Sequence, residues 1–366
     1  MNIIICWRRE LQVAALGAVV LLSACQSQGL APQPSTGLQS NIAPSQMTVQ
    51  RPRGLMPGQR FTPCDRVMTT PVVDGTPLPF YTARTRSVGT FSPRFGTAYL
   101  YIADEYNNRI DIFPSQGRRQ PQVGTITAGI EGPYGIWFDR GTQSLYVANQ
   151  TNNTVTVYPY GSTQPTLTYS QDLDRPLYPI VDRNGELYIS NANNGTVVEY
   201  LAGSTNVYQV LQTPGVEADG MALDKKGNLY VAYRTCPSGS GSIEKFAPGS
   251  TQGSVIGMTL SDPQGVIVDS SGNVVVDETG TANNRLHRID VFPPGSKNAS
   301  LEVQMPQGNL PIELVIDCDE KNLYVAGLNS GIVFGAKYPL PGQTLFVKEQ
   351  VSAIIQGVTT TNTLAF

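Results

Sequence analysis

Histidine is nearly absent from this chain: His287 is the only one in 366 residues. No C-x-x-C pair occurs either, so a Cys/His zinc centre would have to be gathered from scattered residues, and none is expected. His287 itself stands in the strand-like run Leu286 to Phe292, where a surface or packing role is expected rather than catalysis. Charge is equally sparse: 14% of residues are charged, they sum to −3, and no Lys/Arg run appears, so nothing attracts a polyanion and no nucleic-acid partner is expected. The chain lacks a G-x-S-x-G elbow and a G-x-x-x-x-G-K-[ST] loop, which leaves a nucleophilic triad and nucleotide hydrolysis without support. The apolar run Val13 to Leu22 falls short of the roughly 20 residues that a membrane-spanning helix needs.

What the chain has instead is turns and a core. Its 36 Gly and 27 Pro punctuate a sequence that is 40% hydrophobic, the profile of a turn-rich globular protein. Near the start, Arg8 and Arg9 precede the apolar run, which leads into Leu22-Ser23-Ala24-Cys25. This resembles a bacterial lipobox. The resemblance implies a signal peptide over 1–24, cleavage before Cys25 and lipidation of that cysteine, hence an exported protein whose acyl chains hold it on a membrane of the cell envelope. Gln26 in place of Asp implies, by the same resemblance, delivery to the outer membrane. Residues 25–62, rich in Gln, Pro, Ser and Gly and without period, read as a flexible tether. Of the remaining thiols, Cys64, Cys236 and Cys318, at most two can pair, and Cys236 and Cys318 are expected on opposite faces.

From residue 98 onward the chain repeats itself. AYLYIADEYNNRIDIF, SLYVANQTNNTVTVY, ELYISNANNGTVVEY, NLYVAYRTCPSGSGSIEKF, NVVVDETGTANNRLHRIDVF and NLYVAGLNSGIVFGAKY align on Tyr101, Tyr146, Tyr188, Tyr230, Val275 and Tyr324. The intervals of 42 to 49 residues suit a four-stranded propeller blade of about 40 to 50 residues. Each unit offers strands a to d, counted outward from the centre, with Asp-Gly-Asn chemistry between a and b. No helical period follows residue 25, so the fold expected is all-β: a six-bladed β-propeller of four-stranded blades over 91–366, with 63–90 as an N-terminal decoration. Closure is expected by mixing the chain's two ends, with IIQGVTTTNTLAF supplying strand a beside AYLYIAD and SVGTF (87–91) as the competing candidate.

The pattern P-x-G-I/V-x-x-D-x-x-G-N-L-Y-V-A-x-x-x-N-N-x-V, clearest over 133–158, 219–246 and 263–292, resembles the NHL-repeat propellers and covers about three quarters of the chain. In such propellers the loops leading into strand a and those joining b to c converge on the face where ligands usually sit. Asp139, Asp182, Asp224, Asp269 and Asp317 lie on the other side and read as turn caps. Asn107-Asn108, Asn152-Asn153, Asn193-Asn194 and Asn283-Asn284 read as hairpin residues that tolerate positive φ, and the repeated tyrosines as packing between blades. The residues left for binding on the convergent face are Asp104, Glu131, Asn149, Asn191, Asp219, Asp277 and Glu313, an acidic set that Arg109, Arg175 and Arg234 can partly neutralise.

Two functions follow as expectations. One is a noncatalytic envelope module, monomeric, that binds a protein, a glycan or a small ligand or scaffolds other surface components. The other comes from similarity to gluconolactonase-like propellers, which implies a Ca²⁺-dependent hydrolase of lactones or esters with Glu131, Asn149, Asn191, Asp219 and Asp277 as candidate ligands. No other cofactor is expected.

Overall fold

The repeated hairpins form six antiparallel sheets of four strands each, that of blade 4 with the short Leu260–Ser261 added beside its third strand. Blade 2 shows the pattern, with strand a Pro133–Asp139, b Ser144–Asn149, c Thr154–Pro159 and d Leu167–Tyr169. Strands a of blades 3 to 6 are Pro176–Val181, Glu217–Leu223, Pro263–Val268 and Pro311–Ile316. Each packs against the next, and the sixth returns to the first through Gly357–Thr360, so the inner strands close a ring. The molecule is therefore a six-bladed all-β propeller. The computed structural model describes residues 91–94, 97–235, 240–280, 287–306, 309–328, 330–340, 345–351 and 355–361, with the backbone of 72–73 and 76–77. Residues 1–62, Cys64, Cys236 and Asn283-Asn284 lie outside these, and the 63–90 decoration contributes only the pair Val72–Val73 with Thr76–Pro77.

Blade 1 is built from both ends of the chain. Gly357–Thr360 pairs antiparallel with Tyr99–Asp104, Val358 opposite Ile102, and the remaining strands are Arg109–Pro114 and Gly124–Ile126. Thr361 extends the seam: its N–H donates to Tyr99 C=O at 2.9 Å and its hydroxyl accepts the Tyr99 N–H at 2.9 Å. The rival stretch plays another part. Its one described residue, Phe91, is buried against Tyr99, edge-to-face at 5.0 Å, and lies over Gly124 on the outer strand.

Strand b is buried along its whole length in blades 1 and 3, because each sheet is covered by a neighbour on both faces. The repeated tyrosines take the packing role expected of them. Tyr101, Tyr146, Tyr188, Tyr230 and Tyr324 are all buried, and Tyr101 stacks on Phe138 of blade 2 at 6.1 Å. Such a pair adds about 0.5–1.5 kcal/mol beyond the area it buries. The outermost strand Val207–Gln212 alternates between covered and exposed residues, as an edge strand does.

Turn chemistry follows the repeat. Asp224 Oδ1 accepts the backbone N–H of Lys226 at 2.8 Å and of Asn228 at 2.9 Å, while Oδ2 accepts the Asn228 amide at 2.6 Å. Asp182 and Asp269 repeat the geometry on Asn184 and Glu186 and on Ser271 and Asn273. Asn108 and Asn153 adopt φ of 50° and 56°. Each also reaches the following blade: Asn108 Oδ1 accepts Gly132 N–H at 2.7 Å and Asn153 Oδ1 accepts Arg175 N–H at 2.8 Å. At the same place in blade 3, Gly195 comes so near Gly215 that a Cβ would stand 2.4 Å from its carbonyl oxygen, and a side chain has no room.

Candidate functional site

The face where the loops leading into strand a meet the b-to-c loops holds four of the seven expected binding residues. Asn149 and Asn191 close strand b of blades 2 and 3 and are fully buried. Their amide oxygens accept the backbone N–H of Glu131 at 2.9 Å and of Asp174 at 3.0 Å. Each therefore ties down the loop leading into its own blade, and Glu278 does the same for Ser261 in blade 5. Asp104 caps Asn107 and pairs with Arg109 at 3.2 Å. Glu131 is exposed and accepts from the Asn152 amide at 3.2 Å.

The expected neutralisation holds for two arginines of three. Arg109 contacts Asp104 and Asp111, and Arg234 bridges Glu217 of its own blade and Asp262 of the next. Arg175 donates to the Gln150 side-chain oxygen instead. Gln150 passes the chain on to Glu105, which also accepts from Gln356. This polar ladder runs across blades 3, 2 and 1 with its partners supplied from within the protein.

Beneath that face two tyrosines bridge the channel across its diameter. The Tyr178 hydroxyl of blade 3 donates to Ile312 C=O of blade 6, and the Tyr134 hydroxyl of blade 2 faces Gln264 Oε1 of blade 5 at 3.4 Å. The two rings meet edge-to-face at 5.5 Å. Tyr134, Tyr178, Gln264 and Ile312 are all buried, so the channel is plugged at this level. Strand a bulges here in blades 2 to 6, which turns these side chains inward.

The other three expected residues, Asp219, Asp277 and Glu313, are buried at the level of the plug. Desolvation pushes Asp277 up to about 8 despite amide donors from Gly265 and Gln264. Desolvation likewise raises Glu313 well above the usual carboxylate range, against the amides of Val358 and Ile136 and with added repulsion from Asp277. The five candidate Ca²⁺ ligands thus fall at two levels, with Glu131, Asn149 and Asn191 above the plug. Among the described residues no group of three His, Cys, Asp or Glu is placed to hold a metal ion.

Below the plug lies a cavity of about 170 Å³ lined by strand a of all six blades. It leads toward the a-to-b turns, where Asp139, Arg140, Asp269, Asp317, Cys318 and Glu320 surround its mouth. Its wall is apolar, with Trp137, Ile180, Met221, Ile267 and Val315 among the lining, and Glu313 beside Tyr178 at its inner end. Of the seven expected residues only Glu313 lines it. Sequence reasoning missed Trp137, Arg140 and Cys318. A signal for the first was present: two residues before the turn Asp, the other blades carry Ile180, Ala222, Ile267 and Val315 where blade 2 has tryptophan.

No protein-family model and no curated protein sequence matches the chain. Among solved structures it is similar to a chain of a nidogen/laminin complex, with TM-score 0.62 and 18% identity over 73% of this chain and 100% of that one. It is also similar to a functionally unknown protein from Desulfotomaculum acetoxidans, with TM-score 0.52 and 13% identity over 72% of this chain and 99% of that one. Hydrazine synthase from Kuenenia stuttgartiensis matches with TM-score 0.50 and 14% identity over 68% of this chain and 75% of that one. At these identities the likeness carries the fold alone.

Proposed function

We propose that this protein is a lipid-tethered envelope propeller of the NHL type that binds a small ligand in its central cavity, entered from the side of the a-to-b turns. The observation behind this reading is the asymmetry of the channel. One end is stoppered by Tyr134 and Tyr178, and the other leads through an apolar wall to a mouth with a few placed polar groups. A one-ended apolar cavity with few polar groups is the usual form of a small-ligand site. The tether reading rests on Leu22-Ser23-Ala24-Cys25 and on the Pro/Gln-rich stretch after it.

Binding is read by the emission of Trp137, the only tryptophan besides Trp7, in a Trp7→Phe background. Two eight-carbon probes, neutral 1-octanol and anionic octanoate, are titrated. A saturable response to either probe, lost in Val315→Phe, is expected; no response to both removes the reading. For the anchor, Cys25→Ala is expected to release the protein from the membrane fraction, and retention there would disprove lipidation. Millimolar Ca²⁺ is expected to leave the melting temperature unchanged. A rise of several degrees would favour the calcium-dependent hydrolase instead.

A further inference from the structure

The donors in the cavity wall do not match the acceptors. Arg140 follows strand a of blade 2 at the cavity mouth, and among the described residues no carboxylate pairs with it. Its Nη1 contacts Cys318 Sγ at 2.7 Å, and its Nε is buried without an acceptor. Three residues earlier on the same strand, the Trp137 indole N–H is also buried without an acceptor, in the wall of the same cavity. A buried donor left unpaired costs about 1–3 kcal/mol, more when it carries charge.

Carboxylates do stand at the mouth, but they are engaged elsewhere. Asp139 holds the amides of Gly141 and Thr142. Asp269 serves Ser271, Asn273 and the Tyr338 hydroxyl. Asp317 accepts from Lys321 and Asn322, and both oxygens of Glu320 accept from Ser270. Arg140 is thus a cation whose acidic neighbours face their own turns. The contrast with Arg234, which meets two carboxylates, marks this as a local choice and not a habit of the fold.

We infer that the cavity takes an apolar organic acid, its chain lying along Trp137 and the aliphatic wall and its carboxylate at the mouth on Arg140. This rests on the reading of the cavity as a ligand site and adds the chemical class. A guanidinium presents a fork of N–H donors that a carboxylate matches. Orientation follows from the two ends. The inner end offers no cation to an anionic head, while the mouth offers Arg140. A second cationic group is not found among the residues lining the cavity, which limits the head to one negative charge and sets a nucleotide or polyphosphate aside.

The experiment compares octanoate with 1-octanol on the otherwise unaltered full chain carrying Trp7→Phe, reading Trp137 emission. Octanoate is expected to bind about tenfold or more tightly than the alcohol, the gain typical of a charge-assisted hydrogen bond. Arg140→Gln is expected to bring the two probes to parity, and Arg140→Lys to restore part of the preference. A second readout is alkylation of Cys318 by iodoacetamide, followed by peptide mass analysis. Octanoate is expected to slow it in the wild-type protein and not in Arg140→Gln. If both probes bind equally in the wild type, the cavity remains a ligand site and the acid assignment is overturned. If neither binds, both readings fall.

Discussion

The two sides of this ring use the same kinds of residue in opposite ways. Where the loops leading into strand a gather, nearly every polar group meets another protein group: Asn149 and Asn191 hold backbone amides, Arg234 holds two acids, and Gln150 links Arg175 to Glu105. On the side of the a-to-b turns, Arg140 has sulfur for company and Trp137 has no acceptor. The difference teaches that polarity alone does not mark a site. An acidic, amide-rich face can be largely occupied with holding blades together, while two donors without acceptors in an apolar wall are the more informative feature.

The sharpest way to break the contrast is to remove the stopper between the two sides. Tyr178→Ala deletes a fully packed aromatic and its bond to Ile312, and is expected to cost about 3–5 kcal/mol in urea denaturation. Next comes Arg234→Gln, which leaves the buried Glu217 without its cation and is expected to cost about 2 kcal/mol. The acids at the plug give a pH-dependent effect. Asp277 in the folded protein binds its proton up to about pH 8, whereas in the unfolded chain it ionises near pH 4. The fold therefore favours the neutral form, and stability is greatest below the unfolded value and declines as pH rises toward 8. Asp277→Asn is expected to flatten that decline, seen as a smaller fall in melting temperature between pH 5 and pH 8. The least effect belongs to Arg140→Gln, which breaks no ion pair and is expected to shift stability by no more than about 0.5 kcal/mol. A loss as large as that of Arg234→Gln would erase the distinction between the two sides.

The architecture was legible because a propeller writes its blades into the chain one after another. The spacing of Tyr101, Tyr146, Tyr188 and Tyr230, the turn aspartates and the spare strand near the C-terminus were each visible as pattern, and each stands where the pattern put it. The cavity was less legible. Periodicity tells that Glu313 lies on strand a, but not that Tyr134 and Tyr178 reach partners on opposite blades and stopper the channel there. Nor does spacing tell that the oxygens of Asn149 and Asn191 are already taken by backbone amides of their own blades. What distinguishes Trp137 is a departure from the repeat, and alignment on similarity discards departures.

The seam in blade 1 makes the order of synthesis matter. Thr361 meets Tyr99 across 262 residues of chain, so every sheet except one can pair from neighbouring sequence, while this one waits for the far end. The entropic cost of closing so long a loop rises only as the logarithm of its length, so the delay is kinetic more than thermodynamic. A half-made chain is an open fan with an unzipped margin. Only when its final strand arrives does it become a wheel.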